Sequence, residues 1–196
     1  MSLAMEGATM EYRPLTTANW TDFESLFGVR GACGGCWCMS WRLARADFNR
    51  GKGEANRSAM RALVEQGREP GIVLYRNGLP IGWCSVAPRA EFVALSRSRV
   101  WAPVDDNRVW SISCFFVAKD HRNRGISVEL LKAAIAFARS RGARIVEGYP
   151  QELDGGPLPA SFAWTGLASA YRKAGFREVL RRSAKKPIMR YEILPG

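Results

Sequence analysis

With 196 residues, 47% hydrophobic and 24% charged, the chain has the length of one domain and average globular usage, which excludes collagen-like, coiled-coil and disordered classes. Its net charge of +11 suits nucleic acid, anionic membrane or acidic small molecules alike. The basic residues are spread along the chain without a nucleic-acid-binding motif, however, so the expectation is no nucleic acid and no membrane partner.

Residues 1–9 read as a disordered terminus or cloning remnant, and residues 10–196 as a single domain. Residues 10–14 suit a short strand, and Thr17 can cap a helix running to about Phe27. Residues 28–35 are a turn-rich break. Residues 36–50 are aromatic and basic. A helix follows over 55–66 with Met60, Leu63 and Val64 on one face, closed by Gly67. The strand Ile72-Val73-Leu74-Tyr75 and the strand over 81–86 flank Asn77-Gly78, a strong hairpin signal. Residues 88–98 suit a short helix and 101–107 a loop. Residues 109–117 hold nine β-branched, aromatic and small residues without a breaker, the best central strand.

A helix over 125–141 then repeats apolar residues at Val128, Leu131, Ile135 and Ala138, and Gly142 closes it. The next strand covers 144–149, so strand, helix and strand make a crossover with parallel strands. Residues 150–159 read as a flexible loop, 161–174 as a last helix, and 176–182 and 188–194 as closing strands. The order implies a mixed α/β sheet with helices on its faces.

Between the strand over 109–117 and the following helix lies His121-Arg122-Asn123-Arg124-Gly125-Ile126-Ser127. First-turn amides of a helix have no intrahelical partners and sit at the positive end of its dipole, so they suit a phosphate group. Gly125 permits close approach, Ser127 is small, and Arg122 and Arg124 add positive charge. The spacing matches neither a P-loop nor a dinucleotide fingerprint. It resembles the Arg/Gln-x-x-Gly-x-Gly/Ala turn of the GCN5-related N-acetyltransferase (GNAT) family. Ala170-Tyr171-Arg172-Lys173-Ala174-Gly175-Phe176 resembles that family's second signature. Ser127 is a departure, because the family prefers Gly or Ala there.

The resemblance covers most of the chain. It implies a mostly antiparallel sheet with a splayed parallel strand pair and helices on both faces. It further implies that acetyl-CoA is the cosubstrate, with its pyrophosphate on Arg122, Asn123, Arg124, Gly125, Ile126 and Ser127. Its pantetheine arm would pair with backbone groups of Phe115, Phe116 and Val117, and a strand amide would hold the thioester oxygen. Tyr171 matches the family's acid position, or else simply packs on Phe176. The strand position where relatives carry a glutamate base holds Ser111. The incoming amine is therefore expected to lose its proton through water ordered by Ser111 or Ser113, with Glu147 the best single carboxylate, unless Glu147 forms only a strand-end salt bridge.

The implied activity is transfer of an acetyl group to a primary amine of a small molecule or peptide by direct attack through a tetrahedral intermediate. The alternative is a CoA-binding sensor without turnover, and a homodimer is left open. Cys33-x-x-Cys36-x-Cys38 lacks an orderly fourth ligand, and His121, the only histidine, lies in the phosphate turn, so no metal is expected. The five cysteines, an odd count that includes Cys84 and Cys114, read as free thiols in a reducing compartment, the cytoplasm. The stretch over 33–41 is the choice for acceptor contact, with Trp37, Trp41, Trp83, Trp101 and Trp110 suited either to a cation-binding pocket or to core packing.

Overall fold

A computed structural model describes residues 9–153 and 164–194. Its strands are β1 (Met10–Pro14), β2 (Gly71–Arg76), β3 (Leu79–Pro88), β4 (Trp110–Val117), β5 (Ile145–Gly148), β6 (Arg177–Arg181) and β7 (Pro187–Glu192). They form one sheet in the order β1-β2-β3-β4-β5-β7-β6. Only β4 and β5 pair in parallel; the other neighbours are antiparallel. The helices are α1 (Trp20–Phe27), α2 (Arg45–Arg50), α3 (Glu54–Glu65), α4 (Val93–Ser96), α5 (Ile126–Ser140) and α6 (Ala168–Lys173).

The hairpin forms where Asn77-Gly78 predicts it. Both residues have positive φ, 50° and 76°, the conformation that matches a two-residue turn to the twist of its strands. One face of the sheet carries α5, which buries Leu130, Leu131, Ala134, Phe137 and Ala138 against Ile72, Val86, Ile112 and Val146. A Cβ at Gly82 would stand 3.1 Å from the Leu130 side chain, so this glycine sets how closely α5 approaches β3. The other face carries an aromatic layer in which Phe23 and Phe27 of α1 pack on Trp37 and Trp83. Each such fully buried side chain contributes about 1.5–3 kcal/mol.

Three elements differ from the sequence expectation. The helix over 88–98 is split into a 3-10 turn (Arg89–Glu91) and α4, because Phe92 leaves helical geometry to put its ring in the core. The helix expected over 161–174 begins only at Ala168. Gly166 is left-handed, with φ of 83°, and Leu167 is extended and bridges to Gln151. Residues 154–163, which hold most of the expected loop and the start of that helix, lie outside the described residues. Finally, α2 forms within the aromatic and basic stretch, where no helix was expected.

Candidate active site

β4 is paired to β5 over only three residues, Trp110 with Val146, Ser111 with Glu147 and Ile112 with Gly148. Beyond that point β4 runs on to Val117 beside β3 alone, and a bulge puts Ile112 opposite Val86 and Cys114 opposite Ser85, leaving Ser113 as the extra residue. The two parallel strands thus part at Ile112 and Gly148.

Backbone hydrogen bonds fix what faces the cleft. The Ala118 N–H donates to Ile81 at 2.9 Å on the β3 side, whereas the Phe115 N–H points the other way and donates to the Trp164 carbonyl at 2.6 Å. Alternation along the strand then puts the backbone groups of Phe115 and Val117 in the cleft and those of Phe116 toward β3. Phe116 therefore departs from its expected part in an added-strand contact: its ring packs on Phe27 of the aromatic layer, and its backbone lies beside Trp83.

Below the end of β4 a 3-10 turn (Lys119–His121) leads into the phosphate-like turn. Asn123 and Gly125 are both left-handed, with φ of 58° and 78°, and Gly125 is the N-cap of α5. No side chain caps that helix end, and a Cβ built on Gly125 would have nothing within 4 Å, so the space beside Gly125 is open. Arg122, Asn123, Arg124 and Gly125 are exposed, Ser127 is half-buried, and Ile126 is buried in the α5 core. The Arg122 Nε donates to the Val117 carbonyl at 3.0 Å and its guanidinium lies over the Phe116 ring. The turn thus joins a helix N-terminus without a side-chain cap to two exposed arginines, features that suit an anion. Ile126 turns its side chain into the core.

Tyr171, on α6, sits where the strands part. A Cβ at Gly148 would fall 2.1 Å from its ring, so the glycine in β5 is what admits the phenol. The ring packs edge-on against Phe115 and Phe176, and the hydroxyl donates to the Thr165 carbonyl at 3.3 Å. Burial pushes its pKa well up, so the phenol holds its proton. The packing on Phe176 expected of Tyr171 is present, and its hydroxyl is held by the Thr165 carbonyl.

On the opposite face of the sheet, Ser111, Tyr149 and Glu147 form a buried chain. The Ser111 Oγ lies 2.8 Å from the Tyr149 hydroxyl, which donates to the Glu147 Oε1 at 2.6 Å. Glu147 also receives Arg89 at 3.1 Å and, on Oε2, the Nε of Arg190 at 2.8 Å. Arg190 continues to Asp105, and Arg89 reaches the Tyr149 hydroxyl as well. An ionised carboxylate only accepts, so Tyr149 donates to it, and Ser111 must in turn donate to Tyr149. Burial, then the Glu147 charge, hold the Tyr149 pKa far above its ordinary value, which keeps that donor in place. The strand-end salt bridge expected of Glu147 is real, and it is the terminus of a directed hydrogen-bond chain. Tyr149, Arg89 and Arg190 carry no motif; only the alternation of Glu147 and Tyr149 on one strand face could have paired them in advance.

Over this chain lies an aromatic wall. Trp41 packs on Trp101, Tyr149 and Trp164 with ring centroids 4.7, 5.3 and 5.5 Å away, and the Nζ of Lys186 stands 5.2 Å from the Trp101 ring. Of the five tryptophans singled out, Trp37 and Trp83 are core, Trp110 packs on Phe137 of α5, and Trp41 and Trp101 belong to this wall. Among the described residues, no group of three or more His, Cys, Asp and Glu is placed to hold a metal ion. A surface groove of about 340 Å³ beside Lys132, Ile135, Arg139 and Tyr191 touches none of these groups. No helix among the described residues is long and apolar enough to cross a membrane.

A parallel pair that parts above an uncapped helix N-terminus is the architecture of an acetyltransferase fold. The family model described as the acetyltransferase (GNAT) family matches residues 37–150, more than half of the chain, and the chain belongs to that family. No curated protein matches it in sequence. Among solved structures it is similar to a GNAT-family acetyltransferase from Listeria monocytogenes, with a TM-score of 0.57 at 10% identity over 94% of this chain and 95% of that one. It is also similar to the PaiA N-acetyltransferase from Thermoplasma acidophilum in complex with coenzyme A, with a TM-score of 0.53 at 12% identity over 94% and 99%. A third is the NatC complex bound to Gag peptide and CoA, with a TM-score of 0.52 at 13% identity over 94% and 99%.

Proposed function

We propose that this chain is an acetyl-CoA-dependent N-acetyltransferase that moves the acetyl group to a primary amine of a small molecule or peptide. The observation that carries the reading is the parting of β4 and β5 with Tyr171 against Gly148 where they separate, followed after β4 by the uncapped Gly125 turn. The structurally similar PaiA and NatC structures hold CoA, which supports the same ligand here.

In this reading the pyrophosphate lies on the amides from Gly125 to Ser127, with Arg122 and Arg124 beside it, and the pantetheine arm follows the cleft-facing backbone of Phe115 and Val117. Once the ligand has displaced the Trp164 carbonyl, the Phe115 N–H takes the thioester oxygen. A preorganised donor at that point is worth about 3 kcal/mol, because attack puts negative charge there. The amine nitrogen attacks the carbonyl carbon, the C–S bond breaks, and Tyr171 gives its proton to the departing thiolate. The proton lost by the amine enters the chain at Ser111, either directly or through a water, and is passed by way of Tyr149 to Glu147. Each hydroxyl in that chain already donates in the required direction. Trp41, Trp101 and Trp164 then border the acceptor, their ring faces suited to an ammonium group.

A CoA-binding module without turnover is the second reading, favoured by one observation: the Phe115 N–H is already engaged by Trp164. Thermal melting with acetyl-CoA tests both, since a ligand at 100 times its Kd stabilises by about 2.7 kcal/mol. No shift in Tm would overturn them together. Release of free thiol over a panel of amines then separates enzyme from sensor.

A further inference from the structure

Three of the five thiols meet between the loop before α2 and the central strand. The Cys38 Sγ donates to the Cys114 Sγ at 2.9 Å, joining positions 76 residues apart. Both side chains are buried, and Cys36, two residues before Cys38, supplies a third, half-buried thiol that donates to the Gly31 carbonyl at 3.6 Å. The loop is built to hold them there. Trp37 and Cys38 are consecutive left-handed residues other than glycine, with φ of 34° and 48°, a conformation that costs about 1 kcal/mol or more each. Gly35 donates to Arg30 at 3.0 Å and Met39 to Cys36 at 2.9 Å, closing the turns on either side. Cys33, in the same loop, is exposed.

We infer that Cys36, Cys38 and Cys114 form a peroxide-reactive thiol site whose product is a disulfide between Cys38 and Cys114. A disulfide needs sulfurs about 2.05 Å apart, so an approach of about 0.9 Å brings the two side chains to bonding distance. Cys36 is the entry point. It is the most accessible of the three, and the neighbouring Cys38 side chain, then loop backbone groups, bring its pKa down to about 7 against the opposing effect of burial. Burial raises Cys38 and keeps it a thiol until a neighbour is oxidised.

The chemistry balances with a hydroperoxide as oxidant. The Cys36 thiolate takes an oxygen from hydrogen peroxide and becomes a sulfenic acid, with one water released. Cys38 attacks that sulfur, a Cys36–Cys38 disulfide forms, and a second water leaves. Cys114 then attacks the Cys38 sulfur, and the electron pair and a proton return to Cys36 as a thiol. The net change is two thiols and one peroxide to one disulfide and two waters. The bond ties the loop that carries Trp41 to β4 one residue before Phe115. The site is independent of whether the protein transfers acetyl groups.

The test is peroxide treatment of the whole folded chain, acid quench, denaturation, alkylation and peptide mass mapping. The expected product is a Cys38–Cys114 cross-linked peptide that dithiothreitol reverses. Cys36→Ser should slow its formation about tenfold at neutral pH, the ratio expected when the acidified thiol is lost, whereas Cys33→Ser should leave the rate unchanged. Two results would overturn the proposal: Cys38 and Cys114 remaining alkylatable while Cys33 or Cys36 is oxidised, or a linkage that runs through Cys33. The decisive measurement uses the unmutated protein, so a variant that folds poorly leaves it intact.

Discussion

The Phe115 N–H donates to the Trp164 carbonyl at 2.6 Å, across the cleft that β4 and β5 open. Trp164 thereby holds the cleft-facing amide beside the Tyr171 ring, and Thr165 holds the Tyr171 hydroxyl. The segment from Trp164 to Gly166 lies where an extended ligand arm would pair with the strand, so such a ligand must displace it.

Gly166→Ala tests that displacement. A Cβ there would meet Tyr171 at 3.0 Å and Phe115 at 3.2 Å in a left-handed conformation that alanine resists. The expected outcome is a stability loss of about 1–2 kcal/mol in thermal melting, together with tighter acetyl-CoA binding by calorimetry. Unchanged affinity would show that the segment does not compete.

Tyr171→Phe removes one hydrogen bond, to Thr165, at a cost of about 1 kcal/mol. Turnover should fall about 100-fold if the phenol is the acid, with the Kd for acetyl-CoA nearly unchanged. Equal loss in binding and turnover would mark the residue as packing alone.

Two changes to the buried chain should behave differently. Glu147→Gln leaves Arg89 and Arg190 without their shared carboxylate at a site 1% exposed, and should destabilise by about 3–5 kcal/mol. Tyr149→Phe keeps both ion pairs, should cost only about 1 kcal/mol, and should cut turnover. Full activity in Tyr149→Phe would exclude the relay.

Arg122→Ala should weaken acetyl-CoA about tenfold, the size of one charged hydrogen bond, while leaving Tm almost unchanged because its side chain is exposed. Calorimetry read at two salt concentrations checks it: the difference between wild type and variant should shrink at high salt.

Cys36 should alkylate with a rate that rises with pH, reaches half its maximum near about 7 and then levels off, because only the thiolate reacts and its hydrogen bonds lower the pKa to that value. An ordinary thiol would continue to climb toward about 8.5. Iodoacetamide rates read peptide by peptide separate it from Cys33.

The Asn77-Gly78 hairpin, the helix between Gly125 and Gly142 and the strand before it were legible because each rests on local rules: turn glycines, helical spacing and an unbroken β-prone run. The phosphate-like turn was legible for the same reason. The start of α6 was misplaced. Gly166 inside an apolar run looks tolerable in a helix, and only its packing against Phe115 and Tyr171 forces the left-handed turn. Glu147 was visible as a carboxylate but not as the centre of a network, because Arg89 and Arg190 reach it from distant parts of the chain and Asp105 joins from a third through Arg190.

Sequence by itself determined the hairpin, the long helix and the strand before it, and the residues of the turn at Arg122 to Ser127, consequences of interactions between near neighbours in the chain, and with them the family resemblance and the parallel crossover. Tertiary structure decided which strand atoms face the cleft, what occupies them, and how Cys38 meets Cys114 and Ser111 connects to Glu147 through Tyr149. Those relations depend on sheet order and on a bulge at Ser113. A bulge reverses side-chain direction past it, and its position is set by pairing with another strand rather than by local sequence.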